Sequence, residues 1–412
     1  MFKTINKCRI CGQSKLDIVM SLGSQVLTGV FPKSKDVALT AGPVDLVKCS
    51  AENGCGLVQL KQSYNLDEMY GMNYGYRSGL NSSMVRHLHS KVEKILAMNL
   101  LKPGDLIVDI GSNDATTLKA YPQNGYDFLG VDPTGVKFKD YYPENIKLVP
   151  DFFSANAVLT ATGGKKAKIV TSFSMYYDLE DPVEFARQIE NCLTDDGVWI
   201  FEQSYLPSML RTNSFDTICH EHLEFYALKQ ILWIAKAAKL KVIDVEFNDI
   251  NGGSFSITAA KENSALPVNQ ANISAILASE IELGLDSTRA FEEFKARVAQ
   301  EKIKFLNFLQ HAKSEGKSVY GLGASTKGNV LLQYYGVGSE LIAAIGEVNE
   351  DKYGSFTPGS KIPLVSEAEI LALNPDYLVV LPWHFRSFFL ALPTMAGRRL
   401  VFPLPKFEVV DL

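Results

Sequence analysis

The sequence predicts an α/β protein of three successive units: a small cysteine-bearing module, a central Rossmann-like domain and a second Rossmann-like α/β domain at the C-terminus. Three observations predict it. Two cysteine pairs, Cys8-x-x-Cys11 and Cys49-x5-Cys55, stand near the N-terminus. The apolar run Leu106–Ile110 leads into Gly111-Ser-Asn-Asp-Ala-Thr-Thr and opens an alternation of strand-like and helical patterns, and a second alternation begins near Lys317. At 412 residues the chain also exceeds one ordinary core. The units read as 1–75, 76–265 and 266–412.

The first unit is short, broken and rich in Gly, Pro and Ser. Its four cysteines suit a tetrahedral zinc ion, because paired knuckles present thiolates from two tight turns. Gly12, Gly54 and Gly56 flank the cysteines, as such turns require. Four thiolates leave no open coordination position, so Cys8, Cys11, Cys49 and Cys55 imply a structural metal. The alternative is four thiols that never meet. Cys192 falls in a predicted helix and reads as core. A helix is predicted over 83–96, with Val85, Leu88, Val92 and Ile95 at helical spacing.

In the central unit, strands are predicted at 106–110, 128–132, 168–172 and 197–202, with a helix over 182–193. This alternation implies a parallel sheet covered on both faces. Gly111 permits close backbone approach at a helix start, and Asp132, about twenty residues on, can accept two ribose hydroxyls. The run Asp109-Ile-Gly-Ser-Asn-Asp114 carries one glycine where nicotinamide sites carry three, which points to S-adenosylmethionine. Asp109, Asn113 and Ser174 join that candidate set. Asp151, Phe152 and Phe153 stand where an adenine could be lined, although core packing explains the phenylalanines equally well.

Cys219-His220-Glu221-His222-Leu-Glu224 concentrates imidazoles and carboxylates, the side chains suited to proton transfer near neutral pH. Its spacing does not place two imidazoles on one helix face for a metal. An exposed polar turn is the bland alternative.

Near the C-terminus, strands are predicted at 318–323, 341–347 and 376–382, after a helix-rich bridge over 271–314. Gly321-Leu-Gly-Ala-Ser-Thr-Lys-Gly-Asn329 offers backbone amides, the Ser325 and Thr326 hydroxyls and the Lys327 ammonium to a diphosphate. Thr326 occupies the third glycine position of a dinucleotide fingerprint, which argues against nicotinamide binding. Pro382-Trp-His-Phe-Arg386 follows a strand end and could cap the same cleft.

Together these parts resemble the sugar-nucleotide C-methyltransferases of the C-3' type. The resemblance covers nearly the whole chain: the four cysteines, Tyr74-Gly-Tyr76-Arg-Ser78, Asp109-Ile-Gly-Ser-Asn-Asp114, His220-Glu221-His222, Gly252-Gly253-Ser254 and the run 321–329. It implies an S-adenosylmethionine-dependent methyltransferase with a structural zinc and a nucleotide-linked 4-keto-6-deoxy sugar as substrate. His222 would be the base that forms an enolate, with Glu221 and Tyr74 or Tyr76 orienting base and substrate. His220, Ser325, Thr326, Lys327 and Asn329 would contact the substrate. Three positions depart from the pattern. Cys219 stands where tyrosine is common, Ala115 stands where glycine is common, and Ser172-Phe-Ser-Met-Tyr-Tyr177 lacks the usual histidine, leaving Tyr176 or Tyr177 to replace missing donors. The departures keep two other readings open: an O-methyltransferase on a sugar or sugar nucleotide, and a binding protein that has lost catalysis.

A net charge of -5 excludes bulk electrostatic attachment to nucleic acid or an anionic membrane. There is no long apolar run and no secretory pattern, so a cytoplasmic location is expected. Neither charge nor any heptad pattern indicates an oligomeric state.

Overall fold

The computed structural model describes residues 2–65, 68–69 and 76–412. Tyr74 lies outside the described residues.

The N-terminal module is an antiparallel sheet of β1 (Leu16–Val26), β2 (Ala41–Cys49) and β3 (Val58–Leu60). Its strands escape a reading by alternation because β1 pairs β2 with register breaks between Ile18 and Met20 and between Ser21 and Ser24, so inward and outward positions change phase. Helix α1 (Ser82–Ala97) matches its apolar spacing, and the Asn81 side chain accepts the Ser83 and Met84 amides at its start.

The central sheet then forms from β4 (Leu106–Ile110), β5 (Asp127–Val131), β6 (Ile146–Val149) and β7 (Ala167–Phe173), followed by α2 (Pro182–Cys192) and β8 (Leu193–Ser204). Cys192 is fully buried on α2. Next comes β9 (Glu224–Phe225), which leaves this domain and pairs antiparallel with Gln59 and Val58 of β3. Helix α3 (Leu228–Ala237), β10 (Leu240–Asn248) and β11 (Ser254–Lys261) complete the unit. The sheet order is β10-β11-β8-β7-β4-β5-β6. Strands β8, β7, β4, β5 and β6 are parallel, as the alternation predicts, while β10 and β11 add antiparallel to one edge. With no crossover helix between β10 and β11, a short turn suffices to reverse the chain.

Helices α4 (Gln270–Glu282) and α5 (Arg289–Ser314) lead to the C-terminal domain. There β12 (Val319–Leu322), α6 (Thr326–Tyr335), β13 (Ile345–Glu347), β14 (Leu364–Ser366), β15 (Tyr377–Val380), β16 (Arg399–Phe402) and β17 (Glu408–Asp411) give the order β14-β13-β12-β15-β16-β17. All pair in parallel except β17 on β16. The predicted strand over 341–347 forms only its last three residues, because the Leu341 and Ile342 amides bond back to the Gly338 carbonyl in a turn.

The three units share apolar cores rather than merely touching. Val44, Leu46 and Leu60 of the N-terminal sheet belong to one buried cluster with Phe291 and Phe294 of α5 and Leu332 of α6. The cysteine knuckles belong to another, with Leu228 and Ile231 of α3. Polar contacts seal these joints. Asn329 Nδ2 donates to the Thr28 carbonyl at 2.7 Å, and the Gln333 side chain brackets the Val26 peptide at 2.8 and 3.1 Å. Arg9 lies between the knuckle cysteines with its guanidinium buried. It donates to the Leu60 carbonyl at 2.7 Å and Ser63 Oγ at 2.8 Å, and stands 3.6 Å from Glu224 on β9.

Arg9→Met removes these bonds and leaves buried acceptors unpaired. The expected loss is about 3 kcal/mol of stability, read as a lower urea midpoint at unchanged slope.

Candidate active site

The four cysteine sulfurs all lie within 4.8 Å of one another. Cys8 faces Cys55 at 3.5 Å and Cys11 faces Cys49 at 3.5 Å, close to the sulfur–sulfur separation of a zinc tetrathiolate. A Cβ on Gly54 would stand 2.7 Å from the Cys49 sulfur, so only glycine leaves room for this cluster. The Cys55 thiol pulls Cys8 down to about 5, whereas its hydrogen bond to Cys8 pushes Cys55 far up and burial pushes Cys49 up to about 11. Packed thiols cannot all ionise by themselves; a dication removes that conflict. The set fits structural zinc.

All three units meet around one cleft of about 1600 Å³. On its donor side, the chain leaves β4 through Gly111 at φ 71, where a Cβ would press within 3.2 Å of Met175. Asn113 and Ala115 follow at φ 49 and 61. Alanine thus holds a left-handed conformation that glycine adopts at lower cost. Asp132 receives the Asn113 amide at 2.7 Å on one oxygen and the Thr134 amide at 2.7 Å on the other, which keeps the carboxylate at the mouth of the turn. The Thr134 hydroxyl also donates to that second oxygen at 2.5 Å, so the oxygen that receives Asn113 is the one that retains a lone pair for a hydroxyl. Asp109, Gly111, Asn113, Asp132, Phe152, Phe153 and Ser174 all line the cleft. Asp151 does not: its carboxylate folds back onto the Phe152 amide at 2.7 Å. Asp109 bonds Thr171 Oγ1 at 2.5 Å, and burial pushes its carboxyl up to about 7. Asn113 is engaged from outside the turn, accepting the Ser78 amide at 2.9 Å and donating to the Tyr76 carbonyl at 3.2 Å. This donor set suits the ribose and methionine portions of S-adenosylmethionine.

The opposite wall carries Glu221 and His222. His222 Nδ1 lies 2.8 Å from the Thr217 carbonyl. A carbonyl only accepts, so Nδ1 bears the hydrogen and Nε2 the lone pair. Among the described residues Nε2 has no hydrogen-bond partner. The Tyr177 ring packs 4.4 Å from the imidazole. Burial, with a contribution from the Lys327 charge, holds His222 down at about 4, so the ring is neutral at physiological pH. Glu221 makes no hydrogen bond to His222 among the described residues; its ring partner is Thr217, which sequence reasoning missed. Burial pushes the Glu221 carboxyl up to about 7. A Cβ on Gly29 would lie 2.7 Å from that carboxylate, so the N-terminal module forms part of this wall.

The other substrate candidates divide. His220 points away from the cleft, toward the Gln25 carbonyl at 3.2 Å and the Tyr64 ring. Tyr176 is fully buried, donating to the Pro182 carbonyl at 2.7 Å, while its neighbour Tyr177 lines the cleft. Asn329 is buried against Thr28. Ser325, Thr326 and Lys327 line the cleft, with Ser325 capping α6 through the Gly328 amide and Lys327 donating to the Asn251 carbonyl at 2.6 Å. Tyr76 also lines it. Glu347 was missed although it ends β13 as Asp132 follows β5; it accepts the Ala324 amide at 3.1 Å beside the glycine turn.

Three family models match successive segments: a zinc binding domain over residues 8–70, a methyltransferase domain over 84–245 and a C-methyltransferase C-terminal domain over 249–405. The C-methyltransferase NovU of Streptomyces niveus is 29% identical over 415 residues, spanning 99% of this chain and 98% of that one. Along nearly its whole length the chain is similar to C-methyltransferases. It is an S-adenosylmethionine-dependent methyltransferase with a zinc-binding module. Among solved structures, an S-adenosylmethionine-dependent methyltransferase from Clostridium acetobutylicum aligns with 43% of this chain and 92% of its own, at TM-score 0.34 and 12% identity. The CcbJ methyltransferase of Streptomyces caelestis aligns with 42% and 89%, at TM-score 0.33 and 11% identity. Among the described residues no helix is long and apolar enough to cross a membrane.

Purified protein is expected to hold one zinc per chain by elemental analysis. Cys49→Ser should reduce that content and lower the melting temperature by roughly 10 °C, since a structural site contributes several kcal/mol to folding.

Proposed function

We propose that this methyltransferase alkylates a carbon next to the ketone of a nucleotide-linked 4-keto-6-deoxy sugar, through an enolate formed by His222. One observation carries the reading: the Thr217 carbonyl holds the imidazole as the Nδ1–H tautomer, with a neutral, unbonded Nε2 in the cleft. A hydroxyl acceptor could also use such a base, but relatives of this chain are C-methyltransferases by description.

In this scheme Nε2 takes the proton from the carbon beside the ketone, and the C–H electron pair enters the enolate. The bound donor supplies an electrophilic methyl group to that carbon. Negative charge gathering on the ketone oxygen calls for hydrogen-bond donors; Tyr76, Tyr177 and the raised Glu221 carboxyl line the same cleft. A diphosphate is supported by the cations there, Lys33, Arg77, Lys137, Lys327 and Lys352, and by the Ser325-Thr326-Lys327 turn.

His222→Gln should lower turnover by roughly 10²- to 10⁴-fold while calorimetric donor binding is retained; normal turnover would refute the base assignment. In heavy water the wild type should exchange the carbon-bound hydrogen beside the ketone, and a methylated product without exchange would mark oxygen as the acceptor.

The base also sets a pH signature. With His222 held down at about 4, kcat/KM should rise with pH through that value and level off below about 7, where the Glu221 carboxyl ionises. Lys327→Met removes a charge that disfavours the imidazolium, so its limb should move upward, toward the ordinary histidine value of about 6.5.

A further inference from the structure

We propose that Trp383 and Asp216 are positioning residues for the base: the indole N–H, delivered by the C-terminal domain, holds the turn whose Thr217 carbonyl fixes the His222 ring. The proposal rests on the reading of His222 as the base.

The turn Phe215–Thr217 is a short 3₁₀ segment of the central domain, entirely buried. Asp216 sits in it between Phe215 and Thr217, fully buried, where an acid is costly unless it has a dedicated partner. That partner is Trp383, whose Nε1 donates to Asp216 Oδ2 at 2.7 Å. The other carboxyl oxygen has no hydrogen-bond partner among the described residues. Asp216 thus bonds across a domain junction, one residue before the carbonyl that selects the His222 tautomer at 2.8 Å.

The surroundings allow this turn little freedom. The Phe215 ring packs 5.1 and 5.2 Å from Tyr334 and Tyr335 of α6. Gly252, at φ 91, passes close to the edge of the indole; a Cβ there would lie 3.5 Å from Trp383 Cη2. Gly253, at φ 117, passes Ser208 so closely that a Cβ would stand 2.5 Å from the serine Cβ. The Gly252-Gly253 pair therefore lets the 249–254 loop pass close beside Ser214, Ser208 and the edge of the indole. The same loop carries the Asn251 carbonyl that accepts the Lys327 ammonium at 2.6 Å. The C-terminal domain consequently holds the base turn with the segment that follows β15 and faces the cleft with the one that follows β12.

A contact serving only to join domains would leave the imidazole unchanged, so the test reads the ring itself. In protein labelled with ¹⁵N at its six histidines, the His222 signals are those lost in His222→Gln. Wild type should show one neutral tautomer, protonated at Nδ1. Trp383→Phe keeps the ring but loses the N–H; it should give mixed or exchange-broadened tautomers and about a tenfold lower kcat, with donor affinity unchanged. Asp216→Asn keeps an acceptor oxygen for the indole, so it should retain the single tautomer and lose less than about threefold in kcat. A wild-type ring protonated at Nε2 overturns the proposal, as does a Trp383→Phe enzyme with wild-type tautomer and kcat. If Trp383→Phe does not fold, Asp216→Asn decides: loss of the tautomer despite the retained acceptor overturns it. Failure of the base reading shows separately, as normal turnover in His222→Gln while the unsubstituted enzyme still shows the single Nδ1-protonated tautomer.

Discussion

The two-residue pairing of Glu224 and Phe225 with Gln59 and Val58 is the constraint on which the cleft depends. It takes a segment out of the central domain and makes it the edge of the N-terminal sheet. The residues just before it, from Cys219 to Leu223, are then suspended between two domains, with His222 in the cleft and His220 turned into the N-terminal module. The register of β3 is in turn tied to the cysteine knuckles, because the Cys49 amide bonds the Leu57 carbonyl and Arg9 bonds the Leu60 carbonyl. A metal that takes no part in the reaction thereby bears on the position of the base: it shapes the turns that fix β3, and β3 fixes β9.

The electrostatics of the cleft follow from its depth. Burial moves acids and bases toward neutrality: Asp109 and Glu221 are both raised to about 7, and His222 is lowered to about 4. Lys327 remains as a buried cation whose charge acts on Asp216 and His222 in opposite senses, favouring the carboxylate and disfavouring the imidazolium. An uncharged base beside a fixed cation suits a reaction in which negative charge develops on the substrate. The N-terminal module also supplies Gly29 against Glu221 and Lys33 along the wall.

Much of this was legible in the sequence, and the limits have physical causes. Glycine turns and cysteine knuckles announce themselves because few residues substitute there; Gly111 and the four cysteines are such positions. Four of the five parallel strands of the central sheet read directly from apolar runs, whereas β6, broken by Lys147, did not. The N-terminal strands did not, since two register breaks scramble their alternation. Spacing cannot decide which of two adjacent side chains faces a cavity, so Tyr176 and Tyr177, neighbours on one 3₁₀ turn, were interchangeable until the fold placed one in the aromatic core and the other beside His222. Thr217 and Asp216 left no signal, and Trp383 showed only within a segment that could cap the cleft, because a backbone acceptor has no residue type and a contact between positions 216 and 383 has no local pattern. Glu347 did leave one: the strand–turn–helix–strand–acid rule that located Asp132 applies equally to the C-terminal domain.

The turn at 215–217 is closed largely by residues that lie far along the chain. Asn213 donates to the Pro405 carbonyl at 2.9 Å, Arg297 donates to Asn213 at 3.0 Å and to the Leu210 carbonyl at 2.6 Å, and the α6 tyrosines cover Phe215. The residues of the donor turn, from Asp109 to Asp132, leave the ribosome some 270 residues before Pro405 does. Biosynthesis therefore delivers the cofactor side of the enzyme first and the parts that secure its proton acceptor last. For a chain that wields a reactive alkyl donor, this vectorial order separates the ability to hold the reagent from the ability to spend it.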